Sequence, residues 1–291
     1  MKIEIFFFDI IWINMNIINT IAIQGIKGSF HHSVAEQYFD GKPSLLECMT
    51  FDVLVDSVLD QTSDVAVMAI ENSIVGSIIP NYALIDTHNL SIIGEYYLDI
   101  QHNLMVLSGQ NIQDITEVHS HPMALLQCKE FFKPYPNIKL VEAKDTADVA
   151  KSISENKIKG IAAIASKTAS KLYGLDVLAG SIQTIKHNET RFVIVKSDNQ
   201  NKRDPDVNKA SLKFELDHKR GSLAAILNVL SDCKINLTKI QSLPKLNAPW
   251  KYAFFIDVTF EKFSDYEKAK TIVNIMAENF KILGEYKNAK L

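Results

Sequence analysis

The sequence predicts an α/β domain followed by a small domain with the βαββαβ order of ferredoxin-like folds, and three observations lead to this prediction. From Ile21 onward, short apolar runs alternate with helical patterns, which is typical of an α/β domain. The segment SDNQNKRDPDV at 197–207 is polar, contains a proline and lacks periodicity, which indicates a linker. Beyond it, the predicted elements follow in the order strand, helix, strand, strand, helix, strand.

Each element is predicted from its hydrophobic pattern. In the first part of the chain, short apolar runs bounded by turn residues predict strands at 21–24, 65–70, 90–98, 103–107, 117–119, 139–141, 160–165 and 192–196. Helical spacing predicts helices at 33–39, 51–60, 80–86, 122–132, 146–155 and 166–173. In the second part, strands are predicted at 210–216, 236–242, 252–260 and 281–286, and helices at 223–233 and 266–278.

The composition is that of a globular protein with a hydrophobic core. Of 291 residues, 47% are apolar and 22% are charged, which excludes disordered, collagen-like and coiled-coil proteins. The net charge of −3 leaves no basic surplus for a nucleic-acid partner. The three cysteines lie far apart and match no disulfide or zinc pattern. We therefore expect a protein of the reducing cytoplasm that uses no metal and no cofactor.

The N-terminal segment is apolar but does not match a targeting sequence. Glu4 and Asp9 interrupt the run at 3–18, which lacks a small-residue cleavage site and is too short to span a bilayer. Met15 lies just before the first predicted strand. We expect translation to start near Met15, with residues 1–20 as an extension outside the domains.

Four predicted strands run into loops of small polar residues that precede a helix. These loops are GIKGSFHHS at 25–33, ENSIVGS at 71–77, HSHP at 119–122 and ASKTAS at 165–170. Such loops direct unpaired backbone N–H groups and helix N-termini at the carboxyl ends of the strands, where α/β sheets bind ligands. Each loop alone is more typical of ordinary helix capping, but four such loops in one domain suit a small polyanionic substrate equally well. Neither a P-loop nor GxGxxG is present, which argues against a nucleotide.

The segment NETRFVIV places Thr190 and Arg191 directly before an apolar strand. Arginine offers a planar fork of donors that suits a carboxylate, and threonine offers a neutral donor. The alternative is an ordinary strand start with an exposed arginine.

The motifs GIKGSFH, IENS, SHPMALLQC, LYGL and TRF occur in this order before the βαββαβ pattern. Together they resemble the prephenate dehydratase family with a C-terminal ACT regulatory domain. The resemblance implies a two-lobed catalytic domain over 21–198, similar to periplasmic binding proteins, with crossovers between the lobes near 99 and 180. It further implies a linker at 199–208 and an ACT domain at 209–291.

What the resemblance implies about function is a carbon–oxygen lyase that converts prephenate to phenylpyruvate, CO2 and water in phenylalanine biosynthesis. Matched motif positions identify the expected catalytic residues as Thr190, Glu71, Asn72, Ser120 and Gln127. The expected substrate-binding residues are Ser29, Ser73, Ser166, Arg191 and Phe192. Arogenate dehydratase is the closest alternative, and a non-catalytic amino-acid sensor is an alternative from another class. A preceding chorismate-mutase helix is not expected, because too few residues lie before the domain.

The ACT resemblance implies feedback inhibition by phenylalanine and assembly into a homodimer or homotetramer. The expected effector positions are Gly221, Ser222, Leu223, Asn236, Gln241 and Ser242. Here Gly221-Ser222-Leu223 stands where the family has Gly-Ala-Leu, and Gln241-Ser242-Leu243-Pro244 stands where Glu-Ser-Arg-Pro is common. These departures change the charges of the effector pocket. A dimerisation module without an effector is therefore the alternative.

Overall fold

The computed structural model describes residues 18–39, 44–197, 206–217, 219–244 and 252–290. Most of the expected extension at 1–20 and of the expected linker at 199–208 lies outside the described residues. Within the described residues, no helix is both long and apolar enough to cross a membrane.

The first lobe is built on a mixed sheet flanked by three helices. Its elements in chain order are β1 (Thr20–Gln24), α1 (Phe30–Tyr38), β2 (Ser44–Cys48), α2 (Phe51–Leu59), β3 (Val65–Asn72), β4 (Gly76–Ser77), α3 (Ile79–Thr87) and β5 (Ser91–Asp99). The strands β2, β1 and β3 run parallel, so the loops after β1 and β3 emerge at the same edge.

The second lobe repeats this design with a separate five-stranded sheet. Its elements are β6 (Asn103–Val106), β7 (Glu117–Ser120), α4 (Pro122–Cys128), β8 (Lys139–Glu142), α5 (Thr146–Glu155), β9 (Ile161–Ala165), α6 (Lys167–Tyr173) and β10 (Asp176–Ala179). The sheet order is β10-β6-β9-β7-β8, with β9, β7 and β8 parallel.

The chain then returns to the first sheet as β11 (Glu189–Lys196), which lies antiparallel between β3 and β5. The chain thus crosses between the lobes twice, after β5 and after β10. The expectation of a two-lobed α/β fold is confirmed.

The C-terminal domain has the predicted βαββαβ order. It comprises β12 (Lys209–Glu215), α7 (Ser222–Asp232), β13 (Asn236–Pro244), β14 (Tyr252–Thr259), α8 (Phe263–Met276) and β15 (Glu278–Tyr286). The antiparallel sheet order β13-β14-β12-β15 is that of a ferredoxin-like fold, and β13 is an edge strand.

One hydrophobic core continues from the first lobe into the C-terminal domain. Buried residues of the C-terminal strands, including Leu243, Phe255 and Leu283, pack in the same cluster as Met68 and Val193 of the first sheet. At Gly284, a Cβ atom would come within 2.1 Å of the carbonyl oxygen of Ile92 on β5. Only glycine permits this close approach of β15 to β5.

Candidate active site

Two neighbouring strands place Thr190 beside Asn72. The two residues are directly paired between β11 and β3. Asn72 Nδ2 donates a hydrogen bond of 2.8 Å to Thr190 Oγ1, and Thr190 is 7% exposed. The fold therefore brings together residues of two motifs that are more than a hundred positions apart in the chain.

The backbone fixes the orientation of the Asn72 amide. Its Oδ1 atom accepts hydrogen bonds of 3.0 Å from the N–H groups of Ile74 and Val75. Because a backbone N–H can only donate, this atom must be the oxygen and the other must be the nitrogen. The two hydrogens of Nδ2 serve its two short contacts, Thr190 Oγ1 and, at 2.7 Å, Asn188 Oδ1.

The orientation of Asn72 determines the hydrogen positions further along a chain of polar side chains. Asn188 accepts from Asn72 through Oδ1, so its Nδ2 donates to Gln127 Oε1, at 3.0 Å. His102 Nε2 lies 2.9 Å from the same oxygen and must therefore carry a hydrogen, which it donates. Burial lowers the pKa of His102, although its hydrogen bond to Gln127 opposes that shift. We call Thr190, Asn72, Asn188, Gln127 and His102 the hinge network.

The hinge network lies where the chain crosses between the lobes. The N–H of Ile100, in the outgoing segment, donates a hydrogen bond of 2.6 Å to the carbonyl of Asn188 in the returning segment. The N–H of His102 donates to Gln183 Oε1 over 3.0 Å, again joining the two segments. Asn188 is 0% exposed, so these bonds are shielded from water. The network therefore holds Thr190 in place from both crossing segments.

The Thr190 hydroxyl is left with a proton to donate. Its oxygen accepts the bond from Asn72, and its own hydrogen has no acceptor among the described residues. No charged group belongs to the hinge network, since His102 is neutral. The arrangement suits a reaction in which a neutral donor stabilises an oxygen that gains negative charge.

An apolar groove of about 440 Å³ adjoins the hinge network. It lies between the loop after β3, helix α4 and the returning segment, and it is lined by Ile74, Val75, Met123, Leu126, Gln127, Gln183, Thr184 and Ile185. Gln127 contributes an amide nitrogen that has no protein acceptor among the described residues. An apolar groove with a polar group at its wall is typical of a small-molecule site.

The loops of the two lobes meet opposite each other. Ser166 Oγ, at the end of β9, donates a bond of 2.6 Å to the carbonyl of Gly28 in the loop after β1. Ser33 and Thr168, on α1 and α6, are also joined, at 2.9 Å. The cleft between the lobes is therefore bridged by direct hydrogen bonds in this structure.

Three predicted site serines use their hydroxyls inside the protein. Ser29 Oγ accepts from the N–H of His32, and Ser166 Oγ accepts from the N–H of Ala169, so each caps a helix. Ser120 is 0% exposed and donates to the carbonyl of Ile164 over 2.7 Å. A hydroxyl has a single hydrogen to donate. The hydroxyl hydrogens of Ser120 and Ser166 are therefore already used inside the protein, and Ser29 caps α1. The catalytic role of Ser120 and the substrate-binding roles of Ser29 and Ser166 stay predictions.

Ser73 occupies a different position. Its Oγ accepts a bond of 2.9 Å from the N–H of Glu189, which joins the IENS loop to the strand of Thr190. Ser73 is exposed, and its role in substrate binding stays a prediction.

Arg191 and Phe192 do not reach the cleft. Successive residues of a strand point to opposite faces, so Arg191 points away from the face of Thr190. Its guanidinium binds Glu95, Asp257 and Tyr286. Phe192 is 1% exposed and packs in the first-lobe core. The expectation that these two residues contact the substrate is therefore wrong.

Glu71 also lies on the far face, because β3 has a bulge. The register moves from Glu71 opposite Arg191 to Ala69 opposite Phe192, so Ile70 has no opposing residue. This extra residue turns Glu71 toward the C-terminal domain, where its carboxylate pairs with Lys239, and leaves Asn72 facing Thr190. The expectation that Glu71 touches the substrate is contradicted by this placement.

Two residues of the hinge network were missed from the sequence. Asn188 stands two positions before Thr190 in the NETRF segment, and His102 lies in the first crossing segment. The sequence offered one indication for each residue: Asn188 adjoins the TRF motif, and His102 adjoins the predicted crossover. Neither an asparagine nor a histidine at such a position indicates a role by itself.

The expected effector positions lie on two elements of the C-terminal domain. Gly221 adopts a positive φ of 81° directly before α7, with Ser222 and Leu223 in its first turn. Asn236, Gln241 and Ser242 all lie on the edge strand β13. Leu243 is buried in the core shared with the first lobe. Among the described residues, no cluster of three or more potential metal ligands occurs anywhere in the structure.

Comparison with known proteins identifies relatives of this chain. It is 34% identical over 278 residues to a bifunctional chorismate mutase/prephenate dehydratase of Buchnera aphidicola, covering 92% of this chain and 70% of that protein. It is 34% identical over 278 residues to the chloroplastic arogenate dehydratase/prephenate dehydratase 2 of Arabidopsis thaliana, covering 91% and 72%.

Two solved structures have the same overall fold as this chain. A prephenate dehydratase of Arthrobacter aurescens in complex with L-Phe matches with a TM-score of 0.84 and 26% identity, over 93% of this chain and 90% of that chain. A protein described as a novel type of quorum quenching acylase matches with a TM-score of 0.83 and 27% identity, over 93% and 98%. The model of the prephenate dehydratase family matches residues 21–200. This chain belongs to the prephenate dehydratase family.

Proposed function

We propose that this chain converts prephenate to phenylpyruvate, with Thr190 as the donor to the departing hydroxyl group. In this reaction the bond from the ring to its carboxylate breaks and releases CO2. The freed electron pair moves through the ring, and the carbon–oxygen bond on the opposite side breaks. The departing hydroxide takes up one proton and leaves as water, so each turnover consumes one proton.

The free hydrogen of the Thr190 hydroxyl carries this proposal. Asn72 donates to the oxygen, which directs the Thr190 hydrogen away from Asn72 and toward a ligand. A threonine hydroxyl is too weak an acid for full proton transfer at neutral pH. Thr190 therefore stabilises the departing oxygen by hydrogen bonding. The proton that converts the departing hydroxide to water comes from hydronium or buffer acid in the solvent, because neutral water is no stronger an acid than threonine.

A neutral site suits the energetics of this elimination. The product ring is aromatic, so no strong base is needed to drive the reaction. The ring carboxylate loses its charge on the way to CO2, and poor solvation of that group favours its departure. The uncharged hinge network and the apolar groove beside it supply such surroundings.

The C-terminal domain is proposed to be an ACT domain that binds L-phenylalanine. Its ferredoxin-like topology supports this assignment, as does the L-Phe complex of the Arthrobacter relative. The ligand would contact the turn at Gly221 and the strand β13. Leu243 replaces the arginine that is common in the family and is buried, so phenylalanine binding here would lack that charge.

A homo-oligomer in the cytoplasm completes the proposal. The edge strand β13 has no neighbouring strand on its outer side among the described residues, and a second copy of the chain could pair with its backbone there. Arogenate is a second candidate substrate, favoured by the 34% identity to the Arabidopsis enzyme.

The deciding experiment is an assay of the purified chain with prephenate, with arogenate, and with prephenate plus L-phenylalanine. Phenylpyruvate from prephenate, with turnover reduced by L-phenylalanine, is the expected result. Turnover of arogenate alone would move the function to that substrate. If the chain turns over neither prephenate nor arogenate but still binds an amino acid, the alternative of a non-catalytic amino-acid sensor is favoured. Unchanged turnover in the presence of L-phenylalanine would contradict the regulatory assignment.

A further inference from the structure

The cross-strand pair next to the Thr190–Asn72 pair faces the C-terminal domain. Arg191 lies opposite Glu71 in the register between β11 and β3, directly beside Thr190 opposite Asn72. The Arg191–Glu71 pair lies on the side of the sheet that faces the C-terminal domain, and we call it the interface pair. The Thr190–Asn72 pair lies on the side that faces the cleft, and we call it the cleft pair. One peptide bond in each strand separates the two pairs.

The C-terminal domain holds both members of the interface pair. The Nζ atom of Lys239, on β13, binds the Glu71 carboxylate and donates a bond of 2.6 Å to Ser77 Oγ on β4. Asp257, on β14, binds the Arg191 guanidinium and also accepts from Ser211. The C-terminal domain therefore binds both strands that carry the cleft pair, on the side of the sheet opposite to the cleft.

The anchoring of Arg191 is balanced in charge and shielded from water. Glu95 accepts from Arg191 Nε at 2.7 Å and from Lys209 at 2.8 Å, so two cations face two carboxylates. Burial by itself would raise the pKa of Asp257, but Arg191 outweighs this effect and keeps that pKa below its ordinary value. Asp257 therefore stays ionised and holds the guanidinium in one position.

We propose that Lys239 and Asp257 are positioning residues for the Thr190–Asn72 pair, acting through Glu71 and Arg191. The kinetic test of this proposal rests on the proposed function, because it measures turnover of prephenate. Because a β-strand is stiff over adjacent residues, displacement of Glu71 or Arg191 shifts Asn72 or Thr190. A shift of about 1 Å in such a donor lowers the rate strongly while leaving substrate binding largely intact.

The test compares Lys239→Met with Lys239→Arg and with Lys281→Met in the full chain. Lys281 makes a matched control, because it also joins the C-terminal domain to the first lobe, through Asp86 and Asn89 at the end of α3. Arg191→Met is less suitable, since it would leave Asp257 buried without its cation and Glu95 with Lys209 alone, and so threaten folding.

We expect Lys239→Met to lower kcat for prephenate about tenfold with KM within about twofold. Lys239→Arg should restore most of kcat, and Lys281→Met should leave kcat within about twofold of the parent. Equal kcat in all three variants, or equal losses in Lys239→Met and Lys281→Met, would overturn the proposal.

A second measurement separates this inference from the proposed function. Hydrogen–deuterium exchange of the peptides covering 71–75 and 188–192 should accelerate in Lys239→Met and stay at the parent rate in Lys281→Met. If the parent protein fails to turn over prephenate, the proposed function fails, and the exchange result still decides this inference. Unchanged exchange in Lys239→Met would overturn it.

Discussion

The two faces of the β3–β11 strand pair differ in chemistry although they are built from adjacent residues. On the cleft face, Thr190 and Asn72 belong to an uncharged hydrogen-bonded network. On the interface face, Glu71 and Arg191 make ion pairs with the C-terminal domain. The comparison indicates that neighbouring residues of one motif serve different purposes, with one pair suited to chemistry and the other to holding the domains together.

The largest effect is expected from breaking the interface face. Arg191→Met leaves Glu95 and Asp257 buried without their shared cation, which should lower the free energy of unfolding by about 3–5 kcal/mol. Urea denaturation of the full chain measures this loss. The exposed Arg220 provides the control, because Arg220→Met removes the same side chain from the surface of the C-terminal domain. Equal stabilities of the two variants would refute the assignment of Arg191 as a structural ion-pair residue.

A change on the cleft face should instead act on catalysis. In Asn72→Asp the new carboxylate faces Asn188 Oδ1 and Thr190 Oγ1 without a hydrogen to donate, so the Thr190 proton turns to it and away from the substrate. We expect kcat to fall about 100-fold. Steady-state kinetics with prephenate checks this result.

Asn81→Asp is the matched control for Asn72→Asp. Asn81 is buried in the same lobe and donates a bond of 2.7 Å to the carbonyl of Ala69. Its replacement should lower stability and leave the kcat of the folded protein nearly unchanged. A comparable loss of kcat in both variants would mean that lobe damage, and not the Thr190 hydrogen bond, explains the effect.

These faces also show what the sequence could and could not predict. The element order and the βαββαβ domain follow from hydrophobic periodicity, and Thr190 and Asn72 follow from motifs. The assignments of Arg191 and Glu71 failed because strand alternation and a bulge at Ile70 decide which face each residue occupies. A bulge depends on long-range pairing that a single sequence does not reveal.

Three strands were also missed: the edge strands β2 and β10, and the two-residue β4, which pairs only with the end of β3. β2 and β10 lie at the ends of their sheets and are partly exposed, so their apolar pattern is weak. Asn188 and His102 were missed because their roles arise from hydrogen bonds between distant segments. Local sequence reports on periodicity and caps, whereas such networks form only in the folded chain.

A smaller effect is expected on the pH dependence of stability. His31 packs edge-on against Phe192, on the cleft side of the sheet, with ring centroids 5.0 Å apart. Burial lowers the pKa of His31 from 6.5 to about 3. Protonation therefore favours the unfolded chain, and stability is full above pH 6.5 and declines as the pH falls toward 3.

The parent should lose about 2 kcal/mol through His31 between pH 7.5 and pH 5, and His31→Phe should lack this contribution. Urea denaturation at the two pH values measures the difference. His187→Phe, at an exposed histidine whose side chain makes no hydrogen bond or ion pair among the described residues, should keep the full pH dependence of the parent. If stability depends on pH in the same way in His31→Phe and in the parent, His31 is not buried in its neutral form.

The role of the Thr190 hydroxyl is tested most directly by the kcat of Thr190→Val for prephenate, measured beside Ser120→Ala. Valine keeps the shape of threonine and removes the free hydroxyl hydrogen, whereas Ser120→Ala removes a hydroxyl that already donates to the Ile164 carbonyl. We predict a loss of about 100-fold or more for Thr190→Val, and a kcat within about threefold of the parent for Ser120→Ala. Unchanged turnover in folded Thr190→Val would show that the Thr190 hydroxyl does not serve the departing oxygen.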